Sequence, residues 1–371
     1  DYIRDAGFPL DLLTPELSNA DADQLIRADQ GRTLRHPFTT EVVRERVASE
    51  LTLIQAWRPD AIVMGTTLSI FLSARIARVP LIYVRPWPMS SGHLRTMRSY
   101  PVSRIPALNR TAAGLIRRVV GQVSVKPRSF RQVAAEHGLV LPRLTIDAID
   151  GDLNLIASLF PHLDGRPLEA NEISVGPIFA RSTTPLPESV AALEQRTRPV
   201  IYVGLGSSGN GRLARRILDQ LGDCDVDVLT STGNLLSPAQ RRGLPANVIV
   251  HDFLPAHRLG GLVDAAIIHG GEGTVQTMCS LCIPFAGIGL QAEQRINVDE
   301  CVRHGNALAL TPRQVRRGLV PGVVDTLLHD AALRDTAASL AGWMADYDGA
   351  ATSARLIADY VARESRESRA S

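Results

Sequence analysis

The sequence predicts an α/β protein built from two Rossmann-like β/α/β domains, and three observations carry that reading. Short apolar, β-branched runs alternate with helical stretches in both halves, the pattern of parallel sheets covered by helices. A segment rich in Pro, Ser and Thr between Asp164 and Arg198, with Gly176-Pro177 and Thr184-Pro185-Leu186-Pro187, reads as a proline-stiffened linker. A length of 371 residues is enough for two cores of ordinary size. The expected boundaries are 1–168 for the N-terminal domain, 169–198 for the linker and 199–345 for the C-terminal domain. Residues 346–371 are expected to form a terminal helix that crosses back, with a disordered polar tail from Arg363.

In the first half, Ala6-Gly7-Phe8-Pro9 and the loop to Thr14 read as the end of an early α/β unit. A polar helix follows from about Phe38 to Trp57, and Arg58-Pro59-Asp60 opens a strand at Ala61–Met64. Leu68 to Arg78 is helical and stops at Pro80, and Leu81–Val84 is the next strand, which completes a βαβ unit. Arg85 to Tyr100 is expected as a loop. Leu115 to Glu136 reads as mostly helical with a break at Pro127. Leu153–Ala157 is the last strand of this half.

The second half opens with a strand at Val200–Val203 running into Gly204-Leu205-Gly206-Ser207-Ser208-Gly209. This loop has G-x-G-x-x-G spacing, but no acidic residue ends the next strand, so it does not indicate NAD. Arg212–Gly222 is helical, Val226–Leu229 is a strand, and Val248–Val250 and Ala266–Ile268 continue the repeat. At the end of the last of these strands stands His269-Gly270-Gly271-Glu272-Gly273-Thr274, followed by a helix from Val275 to Cys282 that stops at Ile283-Pro284. A Gly-rich strand-to-helix turn lets backbone N–H groups approach an anion in front of a positive helix N-terminus. The Thr274 hydroxyl and the His269 ring add side-chain donors, so the turn reads as a diphosphate cradle. It is not a P-loop, because no Lys follows. In isolation such a turn is as often a packing device as a ligand site, and the elements after it decide the matter.

Those elements are Ile283-Pro284, Glu293-Gln294, Asn297 and Gly305, with Phe253-Leu254-Pro255 upstream and the Gly204–Ser208 loop at the start of the same half. In this order and spacing the set resembles the donor-binding signature of UDP-glycosyltransferase-like enzymes (glycosyltransferase family 1, GT-B fold), of the bacterial natural-product type. The resemblance covers roughly residues 175 to 310. It implies a GT-B architecture, two Rossmann-like domains facing each other across a cleft. It also implies a nucleotide-sugar-dependent hexosyltransferase that moves a sugar from a UDP- or TDP-sugar to a hydroxyl of a small hydrophobic acceptor, with inversion and without a metal or other cofactor.

The roles implied are specific. Ser207 and Ser208 would lie near the donor β-phosphate, the Phe253 ring would stack on the nucleobase, and the Leu254 backbone would pair with the base edge. His269 would donate to a phosphate oxygen, and Gly271, Gly273 and Thr274 would complete the cradle. Glu293 and Gln294 would hold sugar hydroxyls, Glu293 standing where the family has Asp. Glu272, inside the turn, is expected to face solvent, because a carboxylate facing a diphosphate is repelled. The resemblance places the catalytic base, a His after the first strand, ahead of Asp1. That strand is therefore expected to be missing, and no catalytic residue is assigned. Gly92-His93 falls in the wrong loop to replace it, and Gly65 stands where an orienting Asp is common. Arg85-Pro86-Trp87 would line the acceptor side. A catalytically inactive homologue, or an enzyme with a lipid-linked acceptor, is the alternative reading.

Composition excludes several other classes. Forty basic and thirty-eight acidic residues give a formal net charge of +2, and their interspersion gives no nucleic-acid signal. No apolar run approaches the ~20 residues that span a bilayer, so no stable membrane insertion is expected. The absence of a signal peptide and the reading of its thiols as reduced point to a cytoplasmic protein, with homodimerisation left open. Cys279-x-x-Cys282 with Cys301-x-x-His304 imitates a zinc ribbon. Placement of the first two on the helix after the Gly-rich turn favours plain thiols and no metal.

Overall fold

The computed structural model describes residues 2–29, 33, 35–65, 67–103, 105–165, 167–179, 182–206 and 209–370. The described residues form two parallel sheets. The first has the order β1-β2-β3-β4, with β1 Ile62–Met64, β2 Leu81–Arg85, β3 Leu153–Ile156 and β4 Glu172–Ser174. The second contains β5 Val200–Gly204, β6 Asp227–Thr230, β7 Val248–Val250, β8 Ala265–Ile268, β9 Phe285–Gly287 and β10 Ala307–Ala309. Its order is β10-β9-β8-β5-β6-β7, the doubly wound arrangement that reverses direction between β5 and β8. Strands β5 and β8 are buried along their whole length, as expected of central strands covered on both faces.

Local chemistry explains the main helices. Thr39 caps Thr40–Trp57 by accepting the Val42 N–H, and the helix ends at Arg58 in a left-handed conformation just before Pro59. Glu50 of this helix is buried and accepts from the hydroxyls of Ser69 and Ser73, which bolts it to helix Ile70–Ala77. In the second domain the amphipathic helix Gly211–Leu221 buries Leu213, Ala214, Ile217, Leu218 and Leu221 against the sheet.

The two domains share apolar contact. Trp87, Ile156, Leu159 and Phe160 from the first belong to the same buried cluster as Val275, Met278 and Cys279 from the second. Helix Gly349–Ala370 runs back to pack Leu356, Ile357 and Tyr360 against Ile82, Leu153 and Leu155 of the first sheet.

Several expectations are corrected. The stretch 85–100 contains a short turn, Trp87–Met89, and a helix, Ser91–Thr96, capped by Ser90 and by the buried Glu172 carboxylate, which accepts the Ser91 and Gly92 N–H groups. The region 115–136 belongs to two helices, Pro106–Val120 and Arg128–Glu136: the first starts earlier than expected, at Pro106, and the expected break before Arg128 is a turn at Gly121-Gln122 followed by five non-helical residues, 123–127. β4 lies inside the stretch assigned to the linker. The expected disordered tail is helical through Ala370: it is made of strong helix formers, and Arg363 stacks 5.3 Å from the Tyr360 ring centroid. The residues from Ala6 to Thr14 follow a single helical turn, Tyr2–Asp5, and no strand precedes β1 among the described residues.

Candidate functional site

In a doubly wound sheet ligands bind at the carboxyl ends of the strands, beside the point where the strand order reverses. Here Gly204 at the end of β5, Ile268 at the end of β8 and Gly287 at the end of β9 are in register. The loops that leave these three strands therefore converge. His269 continues β8, its N–H bonded to the Gly204 carbonyl at 3.1 Å. Gly270 adopts φ +85°, and a Cβ there would meet Val298 at 2.6 Å and the Gln294 carbonyl at 2.8 Å, so only glycine lets the turn lie on helix Ala292–His304. Asn297 of that helix donates to the Gly270 carbonyl at 3.1 Å and to Glu293 at 3.3 Å, tying the turn to Glu293.

Helix Glu272–Ser280 then starts at Gly271, with no side chain capping its first turn. Its leading N–H groups have no intrahelical acceptors, which leaves a positive, donor-rich end beside the half-buried Thr274. A Cβ on Gly273 would meet nothing within 4 Å, so the turn opens outward.

The His269 ring lies between Gly206 and Gly271: a Cβ on the first would come within 2.8 Å of it, and on the second within 2.5 Å. Its Nδ1 is 3.3 Å from the Gly204 carbonyl. A carbonyl only accepts, so Nδ1 carries the proton and Nε2 of the neutral ring is a lone pair. Burial lowers the pKa of His269, with the Gly204 carbonyl opposing the shift, so the ring is neutral near pH 7. As a neutral ring in this tautomer His269 cannot donate to a phosphate. It does so only after taking up a proton.

Glu272 overturns the expectation that it faces solvent. Its carboxylate crosses to the first domain, where it accepts the Trp87 N–H at 3.3 Å and hydrogen-bonds Ser158. Burial, opposed by the Ser158 hydrogen bond and reinforced by the nearby Glu293 carboxylate, pushes its pKa up to about 8. The group is therefore neutral at physiological pH. Repulsion of a diphosphate is avoided by keeping the proton, not by turning away. One turn on, the buried Gln276 donates to the Ala157 carbonyl and accepts from the Leu159 N–H, both at 3.1 Å. The helix that presents the cradle is thus fastened to the loop after β3 by two side chains four residues apart. Neither was singled out from sequence as a contact. The signal available was a Glu and a Gln on a helix whose neighbours Val275, Met278 and Cys279 are apolar.

The remaining sequence candidates divide. Glu293 stands with the cradle. Gln294 does not face outward: its carbonyl accepts the Leu290 and Gln291 N–H groups at 3.0 and 3.2 Å and its amide donates to Gln291, closing a capping box. In this structure its side chain serves the helix start. Phe253 follows β7 and is 58% exposed, and Leu254 is buried beside it. Ser207 and Ser208 lie outside the described residues. Arg85 and Trp87 do not line the acceptor side. Both are fully buried, Arg85 bonded to Asp150 and the Met89 carbonyl and stacked 4.9 Å from the Tyr83 ring centroid. His93 is buried as well, edge-on to Trp87 at 5.0 Å, which removes it as a substitute base.

The zinc pattern also dissolves. Cys279 and Cys301 are buried in contact with each other while Cys282 is exposed, and no group of three ligands that could hold a metal occurs among the described residues. A cavity of about 540 Å³ exists elsewhere, lined by Arg75, Leu81, Asp152 and Tyr360 at the amino ends of β2 and β3. That is the wrong end of a parallel sheet for the donor.

Comparison with known proteins agrees with this geometry. Residues 215–353 match the family described as erythromycin biosynthesis protein CIII-like, C-terminal domain. A PGL/p-HBAD biosynthesis glycosyltransferase of Mycobacterium tuberculosis is 26% identical over 331 residues, covering 85% of this chain and 73% of that protein. The glycosyltransferase SnogD from Streptomyces nogalater superposes with a TM-score of 0.65 at 20% identity, over 96% of this chain and 87% of that one. The Streptomyces sp. SF2575 glycosyltransferase SsfS6, solved with thymidine diphosphate, superposes with a TM-score of 0.57 at 18% identity, over 93% of this chain and 79% of that one.

Proposed function

From the premise that this chain is a glycosyltransferase of GT-B fold with an EryCIII-like C-terminal domain, we propose that it transfers a sugar from a nucleoside-diphosphate sugar to a hydroxyl of a hydrophobic acceptor. The observation that carries the donor half is the uncapped start of helix Glu272–Ser280, set beside His269 at the carboxyl end of β8. The diphosphate lies on the N–H groups of Glu272, Gly273 and Thr274, and His269 gains a proton to pair with it. Phe253 stacks on the base, and Glu293 accepts from sugar hydroxyls. Thymidine diphosphate bound to a structural relative supports that choice of nucleotide as the first probe.

In the reaction the acceptor oxygen loses its proton to a base and attacks the anomeric carbon from the face opposite the diphosphate. The bond between that carbon and the diphosphate oxygen breaks, with inversion. Charge grows on the leaving oxygen, where the helix N-terminus and protonated His269 stabilise it. No metal or other cofactor enters this scheme. None of the described residues is assigned as the base.

Calorimetric titration with thymidine and uridine diphosphates tests the donor site. Binding should take up a proton near pH 7, read from the dependence of the heat on buffer ionisation enthalpy. His269→Ala should weaken binding about ten- to a hundredfold, on the scale of one charge-assisted hydrogen bond, and abolish the uptake. Unchanged affinity in that variant would refute the phosphate role.

A further inference from the structure

One stretch departs from the general interspersion of charge: from Ala61 to Ala135 there is no Asp or Glu and there are twelve Arg or Lys, of which Arg85 pairs with Asp150 and Arg95 with Asp147 and Glu169 from outside it. In the middle of that stretch lies helix Pro106–Val120, which follows β2 through helix Ser91–Thr96, on the side of the first domain where Trp87 meets Glu272. Its inward face is Asn109, Ala113, Ile116 and Val120, with Ala113 fully buried. Its neighbouring face is not covered. Leu108, Leu115 and Val119 follow helical spacing along one stripe, while Val102 and Ile105 stand just before the helix and Val125 just after it. These six apolar side chains are between 45 and 78% exposed. Arg118 flanks the stripe and Arg110 lies further round, both exposed and without an ion pair among the described residues. Single exposed apolar residues need no explanation, but three along one helix with three more in the segments that flank it mark a surface that is covered in use.

We propose that this helix is a peripheral membrane-docking surface, which lies in the plane of an anionic lipid interface with its apolar stripe among the acyl chains. The charge of the segment selects this occupant. A helix with an exposed apolar stripe and the exposed Arg110 and Arg118 on its polar side matches an acidic headgroup layer over an acyl region. Docking is peripheral: among the described residues no helix is long and apolar enough to cross a membrane. The surface stands independently of the transfer reaction proposed above.

Flotation of the full chain with large unilamellar vesicles tests the surface. One set is phosphatidylcholine and the other contains roughly a third phosphatidylglycerol. The chain should float with the anionic vesicles, several-fold less with the neutral ones, and less again at roughly 0.5 M salt, where the Debye length is short. The double variant Leu115→Glu/Val119→Glu should reduce the bound fraction about tenfold, because two buried apolar side chains become charges. Its melting temperature and thymidine diphosphate affinity should match the parent, since both positions are exposed and neither belongs to the proposed donor site. Flotation with neither vesicle, or flotation unchanged in the double variant, would overturn the proposal. So would light scattering that shows a dimer lost in the double variant, which would make the stripe a contact between two copies.

Discussion

Replacing Glu272 with Gln isolates the effect of one proton at the junction of the two domains. The folded carboxyl titrates at about 8, against 4.5 for the ordinary group. The native state therefore holds a proton that the unfolded chain releases near pH 4.5. Since the folded state binds more protons across that interval, its stability falls as pH rises from about 4.5 to 8, by up to ~1.4 kcal/mol per unit, and is flat above. By pH 8 to 9 the full linkage, over about 3.5 pH units, approaches about 5 kcal/mol. Water in the cleft and relaxation of Glu293 reduce it, leaving roughly 1–3 kcal/mol. Gln retains an acceptor for the Trp87 N–H and a donor for Ser158 but cannot ionise. Denaturant unfolding of parent and Glu272→Gln should give nearly equal stabilities at pH 5. The variant should be more stable by that amount at pH 8, with no further divergence at pH 9. A bound diphosphate would raise the carboxyl pKa further, so nucleotide affinity should weaken above pH 8 in the parent and less so in the variant. Parallel stability curves for the two proteins across this range would refute a buried proton at this position.

Other expectations concern the donor. Phe253→Ala should weaken thymidine diphosphate about five- to thirtyfold, the scale of one lost stacking partner, without altering unfolding, because the ring is largely exposed; equal affinities would remove the base from β7. Glu293→Ala should weaken a TDP-sugar about tenfold and thymidine diphosphate hardly at all, by loss of a charge-assisted bond to the sugar; equal losses would place Glu293 elsewhere. Gly206→Ala puts a methyl 2.8 Å from the His269 ring at a φ of +55°, so it should displace the ring and cost nucleotide affinity as His269→Ala does. Full retention of affinity would show that the ring position is not critical.

The parts of this protein that were legible in sequence are those decided by neighbours in the chain. The Gly-rich turn after β8, its following helix and the alternation of strands and helices depend on residues a few positions apart. What sequence missed depends on remote partners. Glu272 reaches Trp87, 185 positions away, and Gln276 reaches Ala157 and Leu159 across the same cleft. The solvent-facing expectation for Glu272 followed from one-domain reasoning, in which a carboxylate can escape a diphosphate only by pointing outward. A second domain closing over it supplies another route: burial makes the neutral form the stable one. Arg85 and Trp87 were misplaced for a related reason, since a loop composition says nothing about the Asp150 that draws the guanidinium inward.

Glu293 and Gln294 show the same limit within a single motif. Adjacent polar residues at a helix start have different tasks set by geometry. The third helical residue can fold back onto the preceding backbone N–H groups, and Gln294 does so with Gln291 as its partner, whereas the second projects sideways to Asn297 and the cradle. The buried Asn297 holds Gly270 and Glu293 at once, so the phosphate turn and the proposed sugar carboxylate move as one unit. Glu272 and Gln276 then join that unit to the other domain. The two domains are thereby linked through a single nine-residue helix, and a change in the protonation of Glu272 acts on both at once.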